Sequence, residues 1–488
     1  MGQEVDRESF SEREFARFGE RLEASLAALR ELLARPGFGV GPGSVGAELE
    51  LFLVRPDGGP LPRNEEVRAA LGDDRVVLEL GRFNLEINLT PVPLAGRPFS
   101  ALDGEIREMV AAVDGAAATQ GGGVVAIGIL PTLSESDFTR DAMSDEHRYR
   151  ALSRGIRRLR PEPFRVSIHG AERLELQVED VILESANTSW QVHVRTEPAR
   201  FDRVYNAAQL AIAPVLAASG NSPFFLGREL WEETRIALFE KSADDRDIER
   251  RWRRDGRVAF GSEWSSGGAE ELFARYVRDY EPLVPVLGDE EDPLAIVKEG
   301  GLPGLAELRM HQGTVWQWNR PVYDPADGGH LRVEMRALPA GPTAADMAAN
   351  AAFLVGLTLA MADRPGWTDE LPFAAAYRNF YRAATLGLDA PMTWPGVGGE
   401  TRASELALSL LPLAAEGLER AEVDRAEIDR AMEIVRERIE RRRTGAAWQR
   451  RAMAALRDTP GAWERMIGRY RELAFTDQPV HTWPDMST

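Results

Sequence analysis

Carboxylates recur in this chain where strand-forming residues should dominate. The stretch LELGRFNLEINLTP, residues 78–91, reads as one strand and carries Glu79 and Glu86. Side chains alternate between the faces of a strand, so Asn84, Glu86, Asn88 and Thr90 share one side, and Leu85, Ile87 and Leu89 the other. The split recurs: Asn187, Ser189, Gln191, His193 and Arg195 oppose Thr188, Trp190, Val192 and Val194, and Arg332, Glu334 and Arg336 oppose Leu331, Val333 and Met335. In Val45–Val54, Glu48 and Glu50 share a face with Gly46, Phe52 and Val54. An antiparallel sheet with one wet face gives the same alternation. Glutamates mixed with Asn, Gln, Ser, His and Arg differ, however, from the usual dressing of a solvated face.

Carboxylates crowded on one face repel one another unless cations sit among them. Oxygen-rich clusters suit hard cations, and Mg²⁺ takes one or two carboxylates and leaves its other positions to water and phosphates. The surplus of glutamates therefore points to two or more Mg²⁺ ions, and the arginines to phosphate. The expected chemistry is that of an ATP- and Mg²⁺-dependent enzyme. No G-x-x-x-x-G-K-[ST] stretch occurs, so the nucleotide would be held without a P-loop.

The bulk of the chain restricts its partners. With 488 residues it can bury a large core, and a net charge of −19 opposes nucleic acid and anionic membranes. Zero cysteines remove disulfides, thiolate nucleophiles and Cys-ligated metal. The charged start MGQEVDRESFSERE lacks an apolar signal core, and the apolar run Met347–Met361 is short for a bilayer and interrupted by Asn350. The expectation is a cytoplasmic enzyme of small molecules; the sequence fixes no oligomeric state.

The elements that must position these residues follow from periodicity. Ser11 and Glu14 have capping-box spacing ahead of a helix over 11–33. Helices are also expected over 100–120, 145–159 and 202–219, with a strand over Val124–Ile129. Leu174–Leu183 and Asn187–Arg195 read as a hairpin, 241–300 as loop-rich, and Leu331–Leu338 as a strand before a helix capped by Thr343 and Asp346. No strand is expected beyond about residue 365, where Ile428, Met432, Val435 and Ile439 form one apolar helical stripe. The run Arg441–Arg443 reads as the solvated end of that helix rather than a binding patch.

Five segments together resemble the glutamate–cysteine ligase family, whose fold is similar to that of glutamine synthetase. They are GAELELFLV (46–54), LELGRFNLEINLTP (78–91), NTSWQVHVR (187–195), NSPFFLG (221–227) and HLRVEMRALPAGPT (330–343), in family order; TGAAWQRR (444–451) also looks familiar. The resemblance implies an α+β fold, with a curved, mainly antiparallel sheet, helices on one face, a polar active-site face and a helical C-terminal region. It implies an N-terminal helix (1–40), a catalytic domain (41–362) and a C-terminal helical region (363–488). Glu48, Glu50, Glu79, Glu86, His193 and Glu334 would hold Mg²⁺ around ATP, with Glu334 and Arg336 at the nucleotide. Arg336 would lie near the transferred phosphoryl group, Arg235 would engage a substrate carboxylate, and Asn84 and Gln191 would orient the amino acid.

The implied reaction joins glutamate to an amine through an acyl phosphate, with cysteine the first choice of acceptor. The alternatives are another amine, or a non-catalytic relative that binds nucleotide. Glu79 is the awkward member, since its parity differs from that of Glu86 and only a break or bulge near Gly81 would reunite them. His311 and Trp316–Trp318, in HQGTVWQWNRP, would either shape a substrate pocket or simply pack.

Overall fold

Alternation of the kind read above demands a sheet with two unlike faces, and the computed structural model contains one. It describes residues 5–247, 254–457 and 459–486. Strands β1 (Ser44–Val54), β2 (Val76–Leu78), β3 (Asn84–Asn88), β4 (Val92–Pro93) and β5 (Gly123–Val125) come first. The hairpin β6 and β7 (Phe164–His169, Arg173–Val178) and β8 (Ser189–Thr196) follow. After the short ribbon β9 and β10 (Phe224–Phe225, Arg228–Glu229) come β11 (Asn319–Asp324), β12 (His330–Pro339) and a second ribbon, β13 and β14 (Pro391–Met392, Thr401–Arg402). The main sheet is curved and antiparallel, in the order β11-β12-β8-β1-β3-β2, with β4 and β5 also paired to β1.

Leu49, Leu85, Ile87, Val192, Val333 and Met335 are fully buried on one face. Helices Pro98–Thr119, Phe201–Ser219 and Ala344–Asp363 join them in one core. Thr343 caps the last helix, its Oγ1 accepting the Asp346 N–H at 3.0 Å. That helix has 20 residues, more than the apolar run suggests; it is long and apolar enough to cross a membrane, yet lies buried inside the fold. It crosses Ala403–Arg420 so closely that a Cβ on Gly356 or Gly417 would strike the other helix's backbone, at Ala414 and Gly356 respectively.

The C-terminal helices close the core. Ile428, Met432, Val435 and Ile439 are buried as the stripe requires. The TGAAWQRR segment is structural: Thr444 caps helix Gly445–Leu456, Trp448 is buried, and Gln449 donates to Asn221 O at 3.0 Å, fixing the NSPFFLG loop.

Two expected pairings differ. β7 pairs with β6, and β8 lies between β1 and β12, so the two segments form no hairpin with each other. β7's partner β6, the alternating FRVSIH upstream of residue 174, went unread in the sequence. The ribbon β13 and β14 is a strand pair beyond residue 365, too brief to leave a period-2 signature. Within 241–300, helices Gly268–Asp279 and Pro293–Lys298 punctuate the loops.

Candidate active site

Register assembles the polar face. Glu48 stands opposite Asn88 on β3 and Gln191 on β8, and Glu50 opposite Glu86. His193 pairs with Gly46 on one side and Glu334 on the other, and Glu334 pairs with Arg320 on β11. The stretch read as one strand is a hairpin: β2 and β3 pair Val77 with Glu86 and Leu78 with Leu85, and the chain reverses between them. Continuing that register sets Glu79 beside Asn84, on the face of Glu86, so the turn removes the parity conflict. The turn requires Gly81, where a Cβ would come within 2.5 Å of Asn84 Oδ1 and 2.7 Å of Ser185 Cβ.

At the centre, Glu48, His193 and Glu334 each offer a ligand atom, all within 4.8 Å of one another. His193 Nε2 is 3.3 Å from Glu48 Oε1 and 3.7 Å from Glu334 Oε1, but neither ring nitrogen makes a directed hydrogen bond. Burial keeps the imidazole's pKa below its ordinary value, the neutral form a metal needs. Glu50 accepts from Ser189 N at 2.6 Å and Gln191 Nε2 at 2.9 Å; among the described residues Glu86 accepts only from Asn88 Nδ2, at 3.1 Å.

The carboxylates are under mutual stress. Burial, then the charge of Glu79, pushes Glu50 up to about 7. Burial, then Glu48, Glu79 and Glu50, pushes Glu86 well above the carboxylate range, and burial foremost raises Glu79. Glu48 moves the other way: burial raises it, but His193 and Arg336 outweigh that and hold it well below its ordinary value. Such a set, with an orphaned imidazole, fits hard cations: an octahedral Mg²⁺ at about 2.1 Å from its ligands spaces adjacent donors about 3 Å apart. Glu48, His193 and Glu334 are the best-placed ligands; Glu50, Glu79 and Glu86 flank them.

The arginines divide into two kinds. Arg336, nearly buried, donates to Gln191 Oε1 and to Glu334 Oε1, the latter at 3.2 Å, with its Nε unused. Arg235 is fully buried. A bulge between Met335 and Leu338 takes two carbonyls off the ladder. Arg235 donates to both, Arg336 O and Ala337 O, and to Ser189 Oγ and Glu233. From there it positions Arg336 from behind.

Three residues went unread in the sequence. Arg320 forks onto Glu334, Nη2 to Oε1 at 3.0 Å and Nε to Oε2. Its strand was hidden by Pro321, tolerated because β11 is an edge. Arg148, on helix His147–Leu159, acts electrostatically on Glu79 and Glu86, and Glu184, on the turn Val181–Ala186, on Glu79 and Glu50. Neither lies on a sheet strand, so no periodicity marks them. In HQGTVWQWNRP, His311 bonds Tyr276 O at 3.0 Å and Trp318 donates to Glu240 at 2.9 Å, while Gln317 lines a cavity. A cavity of about 330 Å³ lined by Tyr205, Arg254, Arg275 and Tyr276 involves none of these glutamates.

A family model described as glutamate-cysteine ligase family 2 (GCS2) matches residues 44–472. The fold is similar to a crystal structure of glutamate–cysteine ligase from Francisella tularensis in complex with AMP, at TM-score 0.52 and 12% identity over 90% of each chain. A bifunctional glutathione synthetase from Pasteurella multocida aligns at TM-score 0.48 and 12% identity, over 93% of this chain and 55% of that one. None of the curated proteins compared with the chain matches it.

Proposed function

The chain belongs to glutamate-cysteine ligase family 2, and from that premise we propose an ATP-dependent ligase joining the γ-carboxylate of L-glutamate to an amine. We take L-cysteine as acceptor and γ-glutamylcysteine, a precursor of glutathione, as product. The observation that carries this reading is the buried carboxylate face centred on Glu48, His193 and Glu334, whose ligand atoms lie within 4.8 Å. A face so charged is costly unless cations and an anionic substrate complete it.

A carboxylate is a poor electrophile. A γ-carboxylate oxygen of glutamate attacks the γ-phosphorus of ATP and ADP leaves; the amine nitrogen then attacks the acyl carbon, phosphate leaves and the nitrogen loses a proton. Glu48, Glu50, Glu79, Glu86, His193 and Glu334 would hold Mg²⁺, which when bound neutralises phosphate oxygens. Arg336, fixed by Gln191 and by Arg235 behind it, presents a guanidinium to the phosphoryl group in flight. Asn84 and Gln191 orient the amino acid, and no protein nucleophile is needed. We also propose the division into an N-terminal helix, a catalytic domain over 41–362 and a supporting helical region, acting in the cytoplasm.

The test is ADP release with ATP, Mg²⁺, glutamate and a panel of amines. Glutamate-dependent release that is fastest with cysteine supports the whole reading. Turnover with another amine keeps the chemistry and replaces the acceptor. Tight ATP binding with no turnover on any amine would sink the ligase and leave a nucleotide-binding relative.

A further inference from the structure

Of Glu48, Glu50, Glu79, Glu86 and Glu334, only the last is hydrogen-bonded by guanidinium groups among the described residues. Register places Arg320, on the edge strand β11, directly opposite it. Arg320 donates through Nη2 to Glu334 Oε1 at 3.0 Å and through Nε to Oε2, while its Nη1 is tied to Gln312 O at 2.9 Å. Arg336 Nη1 donates to the same Oε1 at 3.2 Å. A carboxylate has about four lone-pair sites. Guanidinium N–H groups take both of those on Oε1 and one on Oε2, which leaves Glu334 little to offer a cation.

Its companions at the centre of the face are not so engaged. The one ion-pair partner of Glu48 among the described residues is His193 Nε2, at 3.3 Å, and neither ring nitrogen of His193 makes a hydrogen bond. The charges nearly cancel: Arg320 and Arg336 offset Glu48 and Glu334, around an imidazole that burial keeps neutral. An ion about 2.1 Å from Glu334 Oε1 would have the Arg320 guanidinium within about 5 Å. Like charges at that range in a buried site repel strongly.

We propose that Arg320 is a positioning residue that acts through Glu334: it keeps metal affinity at the Glu48–His193–Glu334 constellation low until nucleotide phosphates add negative charge there. This rests on the metal reading of the face and goes beyond it. The planar fork fixes the Glu334 carboxylate across the ladder and at the same time occupies the lone pairs a cation would use. Phosphate oxygens supply the donors that Glu334 withholds and outweigh the two guanidinium charges. The central ion therefore arrives with the nucleotide and leaves with it. Glu50, Glu79 and Glu86, which no guanidinium bonds, can hold theirs between turnovers.

Mn²⁺, a spin probe for Mg²⁺, tests this on the full chain by pulsed EPR. His193 is the one imidazole among the proposed ligands, so coupling to an imidazole nitrogen marks an ion at the centre and not one at Glu50, Glu79 and Glu86. Without nucleotide, Arg320→Gln should lower the Mn²⁺ concentration that gives half-maximal coupling by roughly 10- to 100-fold. With a non-hydrolysable ATP analogue, variant and wild type should converge. Arg320→Lys, the gentler change if Arg320→Gln does not fold, keeps the charge but frees a lone pair, and should move the midpoint the same way by less. An arginine that only oriented its ligand would act oppositely, its loss raising the midpoint by a similar factor. A raised or unmoved midpoint in folded variants, or a gap that the analogue leaves unchanged, would overturn the inference and leave the ligase standing. A wild type without imidazole coupling, with the analogue or without it, would overturn the metal reading as well.

Discussion

Glu86→Gln should change the sign of its effect with the metal supply. Glu86 is half-buried opposite Glu50, accepts one hydrogen bond that an amide can also accept, and is repelled by Glu48, Glu79 and Glu50. With chelator present, removing that repulsion should stabilise the fold by about 1–2 kcal/mol. Unfolding entropy of about 2.1 cal/mol/K per residue over 488 residues gives roughly 1 kcal/mol/K, so the variant should melt about 1–2 °C higher. Mg²⁺ at a hundred times its dissociation constant adds about 2.7 kcal/mol per ion, or roughly 5 °C for two ions in the wild type. The variant should lose about half of that rise, so the melting curves cross on adding Mg²⁺. Turnover should fall by about two to three orders of magnitude. A variant no more stable in chelator, with an undiminished Mg²⁺ shift, would show that Glu86 is an ordinary surface residue.

Arg336→Lys should lower kcat by about 10- to 100-fold while nucleotide affinity, read by calorimetry, changes little, because a point charge replaces the fork at the step where charge develops. Arg235→Gln should act first on stability: it strands Glu233 and the carbonyls of Arg336 and Ala337, costing about 3–5 kcal/mol, measurable as a melting point lower by several degrees. If Arg235 touched substrate instead, KM for glutamate would rise with the melting point unchanged. Arg438→Ala should cost a similar 3–5 kcal/mol, since Arg438 is buried and ties Asp346 at 2.7 Å to the C-terminal helices. An unaltered melting curve would show that those helices are not coupled to the core.

The central face was legible because strands obey a period of two. Glu86, Gln191, His193, Glu334 and Arg336 could be read off one by one, and the register sets them side by side as that reading requires. Arg148 and Glu184 were not legible, since a helix and a turn deliver them and only their docking against the β2–β3 turn brings them to the face. The wrong hairpin between β7 and β8 has the same cause: alternation says which residues share a face, not which strand lies beside which.

Two local breaks in the period-2 rule fall at the two ends of the site. At Gly81 the chain turns back, which moves Glu79 to the side of Glu86 and brings both Asn84 and Ser185 against Gly81. Between Met335 and Leu338 the register shifts at a bulge, and the buried Arg235 donates to the carbonyls of Arg336 and Ala337 there. A regular ladder would spread its polar side chains evenly along the face. The turn gathers carboxylates at one end, and the bulge sets the backbone that carries Arg336 at the other. Gly81→Ala and Arg235→Gln therefore disturb opposite ends of one surface, the first by crowding Asn84 and Ser185 and the second by stranding Glu233 and two carbonyls.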